Sequence, residues 1–119
     1  MISGLSISLT ALGAYGKKLG VTASNTANAN TEGFKKSQAE FQDSSPDGQG
    51  VEARVEPSTT PGAQFLENTT YGPRLVEPSN VDYGDEMLSL IMVRRGIEVN
   101  ARAVRTQDHA LGTLVNLIS

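Results

Sequence analysis

Apolar residues recur at helical spacing at both ends of the chain and alternate in the middle. Ile2, Leu5, Leu9, Leu12, Leu19 and Ala23 follow at steps of three and four, with Gly16 filling the gap. This is the a/d spacing of a narrow coiled-coil seam and predicts a helix within residues 1–30. The stripe has little bulk. Gly4, Gly13, Gly16 and Gly20 each cost about 1 kcal/mol relative to alanine in a helix interior, roughly 4 kcal/mol together. Such a helix is weak alone, and its glycines suit either a neighbouring helix that approaches closely or a segment that must unfold and refold. An ordinary amphipathic bundle helix fits the same periodicity.

The C-terminal pattern is longer. From Met87 the a/d positions read Met87, Leu90, Arg94, Ile97, Ala101, Val104, Asp108, Leu111, Val115 and Ile118. Eight of these ten are apolar, so a second seam is expected over residues 79–119. Pro78 blocks helix upstream, Ser79 or Asn80 can cap, and Asp82, Asp85 and Glu86 stand where the helix dipole favours negative charge. A helix from about residue 81 to the end is on the order of 55 Å long at ~1.5 Å per residue, more than a small domain's diameter. Part of its seam therefore needs a partner outside any local core. Arg94 and Asp108 interrupt that seam; they fit either a register-fixing role between helices or rim pairing with other charges.

All five prolines lie between these ends, in the connector 31–78 or at its edge. There, "GVEARVE" puts Val51, Ala53 and Val55 on one face and Glu52, Arg54 and Glu56 on the other, a half-buried strand entered by a turn at Pro46-Asp47-Gly48. "QFLE" around Phe65 and "RLVE" around Leu75 read as further short strands. The fold class expected is mainly α: long N- and C-terminal helices pairing as a coiled coil, with a β-hairpin or irregular middle. The domains expected are residues 1–30, 31–78 and 79–119, the outer two forming one discontinuous helical unit.

Composition narrows the function. Only 38% of the 119 residues are hydrophobic and 5% aromatic, with no Trp, so a dense self-sufficient core is not expected. A net charge of −3 lacks the basic footprint of a nucleic-acid binder. The absence of cysteine excludes disulfides and thiolate metal sites. No apolar run is long enough to span a membrane, and no cleavable secretory signal is expected at the N-terminus. His109 is the single histidine and reads as a solvated or interface residue, while Asp82, Asp85 and Glu86 read as a helix start before they read as a carboxylate pair. No catalytic, cofactor or metal site is expected. Asn68-Thr69-Thr70 matches a glycosylation acceptor by pattern alone.

The helix stop after the first seam is unusually elaborate. Asn25, Asn28, Asn30 and Thr31 can satisfy free helical carbonyls, and Gly33 permits a turn that brings Phe34 back against the helices and returns Lys35 and Lys36 to solvent. The stretch "SNTANANTEGFKK" resembles the signature after the first helix of bacterial flagellar rod and hook axial proteins, S-N-x-A-N-x-x-T-x-G-[FY]-[KR], with Ser24, Asn25, Ala27, Asn28, Thr31, Gly33, Phe34 and Lys35 in place. "SNVD" (Ser79 to Asp82), Glu86-Met87, and Arg95, Glu98, Asn100 and Asp108 are similar to the family's second signature, R-x-Y-E-x-N followed by an aspartate. Ile97, preceded by Gly96, departs from the usual aromatic. The short middle is nearer the proximal-rod C-type members, whereas the C-terminal wording also looks like the distal-rod and hook branch.

The resemblance implies a non-enzymatic structural subunit of the basal-body rod, exported unfolded through the flagellar type III apparatus. It also implies helical assembly with copies of itself and other rod and hook–basal-body proteins, in a rod that crosses the periplasm, with no cofactor and no membrane insertion. The residues expected at the assembly interface are the seam positions Leu5, Leu9, Leu12, Leu19, Met87, Leu90, Ile97, Val104, Leu111 and Val115. To these the signatures add Asn25, Asn28, Thr31, Gly33, Phe34, Arg95, Glu98, Asn100 and Asp108. A non-flagellar self-associating coiled-coil scaffold is the alternative.

Overall fold

The computed structural model describes residues 2–44 and 49–119, so the turn expected at Pro46-Asp47-Gly48 lies outside the described residues. Helix α1 spans Ile2–Ala27 and α2 spans Tyr83–Ile118. Between them, β1 (Ser37–Asp43) pairs antiparallel with β2 (Val51–Pro57), and β3 (Phe65–Thr69) with β4 (Gly72–Val76). The chain is therefore mainly helical with a small β part, and it is elongated, with extents of 81 × 27 × 16 Å.

Local chemistry sets the helix limits. At the end of α1, both the backbone N–H and the side-chain Nδ2 of Asn28 donate to the Ser24 carbonyl, at 3.1 and 2.9 Å. That double claim on one acceptor closes the helix three residues before the expected limit. At the start of α2, the Asp82 carboxylate accepts from the Asp85 N–H at 3.1 Å, an N-cap, with Asp85 and Glu86 in the first turn. Strand β1 was not expected from the sequence, because Ala39 and Phe41 are the only apolar residues in "SQAEFQD".

The two helices run antiparallel: Gly4 lies against Gln107, Tyr15 against Gly96, and Asn25 against Glu86. The β1–β2 hairpin packs on another side of α1, burying Ala39 and Ala53, and the Tyr15 and Phe41 rings meet edge-on with centroids 4.8 Å apart. Small side chains make up the core: Ala11, Ala14, Ala39, Ala53, Val76 and Val93. Among the described residues Val93 is the one large side chain buried below 2% exposure.

Because α1 is wedged between two neighbours, its buried face is not the leucine stripe. Ser8, Ala11, Ala14, Thr22 and Asn25 are buried there, while Leu9 and Leu19 remain 53% and 39% exposed. On α2 the d-type positions Leu90, Ile97, Val104 and Leu111 are half-buried toward α1, as the heptads suggest. The a-type positions are displaced by one: Glu86, Val93, Asn100 and Gln107 face inward, and Met87, Arg94 and Asp108 face solvent. Arg94 thus does not interrupt the intrachain seam; it pairs with Glu98 at 3.0 Å on the surface. Beyond the start of α1 the last turns of α2 have no partner among the described residues. Leu114, Val115, Leu117 and Ile118 are 47, 58, 76 and 86% exposed there.

Candidate functional site

The chemistry of the chain concentrates where the end of α1, the start of β1 and the start of α2 meet. Asn25 is 2% exposed, and its amide is fully used. Its Nδ2 donates to the Ser37 carbonyl at 2.8 Å and to the Glu86 carboxylate at 3.1 Å, and its Oδ1 accepts from the Ser37 N–H at 3.0 Å. One side chain thereby holds both backbone groups of the first residue of β1 and the first turn of α2. Glu86, itself 6% exposed, is a buried carboxylate that Asn25 satisfies.

Asn80 is the counterpart from the second signature. Its Oδ1 accepts from the Lys36 N–H at 2.6 Å, its N–H donates to the Phe34 carbonyl at 3.2 Å, and its Nδ2 donates to the Thr60 carbonyl at 2.8 Å. The two asparagines therefore pin consecutive residues, Lys36 and Ser37, from opposite ends of the sequence. Sequence reasoning offered Asn80 as a helix cap; the cap is Asp82, and Asn80 ties the connector together.

Between them lies the turn the first signature encodes. Thr31 donates through Oγ1 to the Asn28 Oδ1 at 3.2 Å, and the Phe34 N–H returns to the Thr31 carbonyl at 3.2 Å. Gly33 adopts φ 69°, the left-handed region that favours glycine, and its N–H donates to the Glu77 carbonyl at 2.8 Å. Lys35 does not return to solvent as expected; it pairs with the Glu77 carboxylate, and Lys36 is likewise half-buried. Gly62 completes this contact by donating its N–H to Glu77 at 3.3 Å, and any Cβ there would sit 2.1 Å from the Pro78 carbonyl oxygen.

The Lys35 ammonium, and secondarily the Gly62 N–H, hold the Glu77 carboxyl below its ordinary value of 4.5. A carboxylate depressed in the native state contributes stability above its unfolded value and loses that contribution as pH falls through the native value. As pH falls through that lowered value the 62–77 contact should weaken, read as rising exchange of the Gly62 amide. Glu77→Gln should remove that acid-dependent step and leave the rest of the acid transition in place. Nearby, the Arg74 guanidinium is pushed above its usual range by Glu67 and then Glu32, which it joins at 2.9 and 2.8 Å across the β3–β4 hairpin.

The residues weighed for catalysis are placed otherwise. Asp82 caps α2, Glu86 faces Asn25, and Asp85 and His109 are exposed. Among the described residues no group of three or more His, Asp or Glu is arranged to hold a metal ion. Nor is any helix long and apolar enough to cross a membrane. An open groove of about 360 Å³ beside the asparagine junction mixes Lys18 and Lys36 with Glu40, Asp85 and Glu86 over a floor that includes Val21 and Met92. A second, apolar groove of about 330 Å³ runs between the helices at Leu19, Leu90, Val93 and Ile97.

Of the expected interface residues, the structure gathers Asn25, Asn28, Thr31, Gly33 and Phe34 at the junction. Leu5, Leu12, Leu90, Ile97, Asn100, Val104 and Leu111 lie along or beside the helix pair, half-buried. Leu9, Leu19, Met87, Arg95, Glu98, Asp108 and Val115 are exposed. The residues that sequence reasoning passed over are Ser37, Glu77 and Gly62, whose partners are set by tertiary contact, and Tyr15. Gly96 was the one signal for Tyr15, because a bare backbone patch on a seam needs a ring or a close neighbour to fill it.

Comparison with known proteins falls on the same two segments. Residues 5–35 match the family described as flagella basal body rod protein. Residues 74–117 match the family described as flagellar basal body rod FlgEFG protein C-terminal. The chain is 45% identical over 42 residues to the flagellar hook protein FlgE of Escherichia coli, covering 35% of this chain and 10% of that protein. It is 48% identical over 42 residues to FlgE of Helicobacter pylori, covering 35% and 6%. Against the flagellar basal-body rod protein FlgG of Borreliella burgdorferi it is 35% identical over 57 residues, covering 48% of this chain and 21% of that protein. The chain thus spans no more than about a fifth of the length of these hook and basal-body rod relatives.

Proposed function

Because the chain belongs to the flagellar rod and hook family, we propose that it is a structural subunit of the flagellar basal-body rod and that its terminal helices pair as a coiled coil in the assembled tube. The observation that carries this is the junction of the two signatures. The Asn25 and Asn80 networks lock the end of α1 to the start of α2, so both helices leave one rigid corner together. A rigid corner lets torque pass from the connector into both helices at once.

The unpartnered apolar surface supports assembly. A fully buried Leu, Ile or Val side chain contributes about 1.5–3 kcal/mol, and the exposed set Leu9, Leu19, Val115, Leu117 and Ile118 is large for so thin a core. Burial against neighbouring subunits supplies what the isolated chain lacks, and repeated contacts that do not close on themselves give a filament. The thin core also suits passage of the unfolded chain through the type III export apparatus to the rod in the periplasm. No chemical step is assigned to the protein.

Val115→Asp with Leu117→Asp tests the proposal without touching the fold, since both side chains are exposed and lie beyond α1. Thermal stability of the purified chain should change by less than about 0.5 kcal/mol. Expression should be normal, while rod assembly and swimming should be lost. Normal swimming by the double variant would refute the role given to this overhang.

A further inference from the structure

Two oppositely charged faces point away from the body of the molecule in different directions. The first is on α2. Arg94, Arg95, Arg102 and Arg105, with Glu98 among them, follow helical spacing along the side opposite α1, and all five are exposed. Arg94 is joined to Glu98, and among the described residues no ion pair holds Arg95, Arg102 or Arg105. At ~1.5 Å per residue the stripe is about 16 Å long.

The second face is the outer surface of the β1–β2 hairpin. Ala39 and Ala53 point inward, so Glu40, Glu52, Arg54 and Glu56 point out, and all four are exposed. Arg54 is joined to Glu56 at 2.9 Å and stands opposite Glu40 in the ladder; among the described residues no ion pair holds Glu40 or Glu52, and the face carries three carboxylates against one guanidinium. Glu52 to Glu56 spans about 13 Å at ~3.3 Å per residue, close to the length of the arginine stripe. The outer face of the hairpin is the one opposite Ala39 and Ala53, with Glu40 at the rim of the groove it shares with Lys18, while Arg95, Arg102 and Arg105 stand exposed on α2, and among the described residues no ion pair joins the two patches within one chain.

We propose that the acidic outer face of the β1–β2 hairpin of one copy docks on the arginine stripe of α2 of a second copy. The contact rests on the assembly role proposed above and gives that assembly a partner surface distinct from its apolar helix seam. It is heterologous, since different patches meet, so it propagates instead of closing a two-fold dimer. Exposed charge pairs contribute little individually, and their principal effect is on direction, register and association rate. A charge-driven contact of this kind weakens as salt rises.

The test is a charge exchange with the purified full-length chain, followed by sedimentation velocity and light scattering at low and high salt. The variants are Arg102→Glu with Arg105→Glu, and Glu40→Lys with Glu52→Lys; circular dichroism confirms that each remains folded. Each alone should lose self-association by roughly tenfold, about 1.4 kcal/mol per contact. Mixed in equal amounts, they should recover it, because both kinds of contact are then complementary again in alternating copies. Unchanged association of the single variants, or failure of the mixture to recover, would overturn the proposal. A wild-type chain that stays monomeric at low salt would overturn it too, as would an arginine stripe that binds phosphatidylglycerol vesicles while the protein shows no self-association. Charge-exchanged association in a chain whose deletion leaves swimming intact would keep this contact and remove the rod assignment.

Discussion

Asn25→Ala is expected to destabilise the folded chain by about 3 kcal/mol or more. The loss exceeds that of an ordinary hydrogen bond, at about 1 kcal/mol, because three bonds go at once and Glu86 stays buried, with Ser37 half-buried, after the amide is gone. Ser37 would keep an unmatched N–H and carbonyl, and Glu86 would lose the Asn25 amide donor to its buried carboxylate. A hydrogen bond to a charged group is worth about 1.5–3 kcal/mol, and with the two Ser37 bonds lost as well the effect stands at the upper end for a single polar substitution. Thermal unfolding should show the midpoint falling by more than about 10 °C. Asn28→Ala should cost only about 1 kcal/mol, since its bonds to Ser24 and from Thr31 are at the surface. Asn25→Asp separates geometry from volume: the side chain fits, but it removes the Nδ2 donor and sets a second carboxylate against Glu86. It should be at least as harmful as alanine. Glu86→Gln, which keeps an acceptor for Asn25, should be tolerated within about 1 kcal/mol.

The second large effect is expected at Gly96. A Cβ there would lie 2.2 Å from Cζ and 2.4 Å from Cε1 of Tyr15, well inside contact distance. The ring cannot withdraw freely, because its other side meets Phe41 edge-on, and the Lys18 ammonium lies 5.1 Å from the Phe41 ring centroid. Gly96→Ala sets two effects against each other. Alanine favours the helix by about 1 kcal/mol, while overpacking costs about 1–3 kcal/mol and disturbs α1, α2 and the hairpin together. The clash should win, by up to about 2 kcal/mol. With Tyr15→Ala already present the clash is absent, and the same Gly96→Ala step should become stabilising by up to about 1 kcal/mol. That reversal of sign in a denaturation double-mutant cycle is the signature of Tyr15 filling the place of a missing side chain. A Gly96→Ala cost that persists without the tyrosine ring would contradict it.

These two sites mark how far the sequence was legible. The helix stop at Asn28 and the start at Asp82 are local, made by side chains bonding backbone within four residues; the pattern showed that a helix ends and another begins near them, but it offered Ser79 or Asn80 where Asp82 is the cap. The roles of Asn25 and Asn80 could not, because their partners lie 12 and 61 residues away for Asn25 and 44 away at Lys36 for Asn80. Heptad spacing found one line of the α2 seam and missed the other by one residue. Of the four inward positions there, Glu86, Asn100 and Gln107 are polar residues that a hydrophobic pattern discards, and only Val93 is apolar. Glu86 faces inward because Asn25 receives it, and Gln107 because Gly4 leaves room for it. On α1 the leucine stripe was visible, but the buried face is the small one, since two elements approach that helix and alanine or serine allows both to come near. Strand β2 showed as apolar alternation and β3 and β4 as short apolar pairs, while β1 follows β2 mainly through its backbone pairing. Resemblance of the two signatures identified the family; only the structure shows that the signatures meet and hold one another.

The most direct test of the rod assignment is quantitative mass spectrometry of purified basal bodies. Samples would come from cells making either the wild-type chain or the Val115→Asp, Leu117→Asp variant. A rod subunit predicts that the wild-type chain co-purifies in fixed ratio to other rod proteins and that the variant is expressed but missing from the particles. Intact basal bodies that lack the wild-type chain would contradict the assignment.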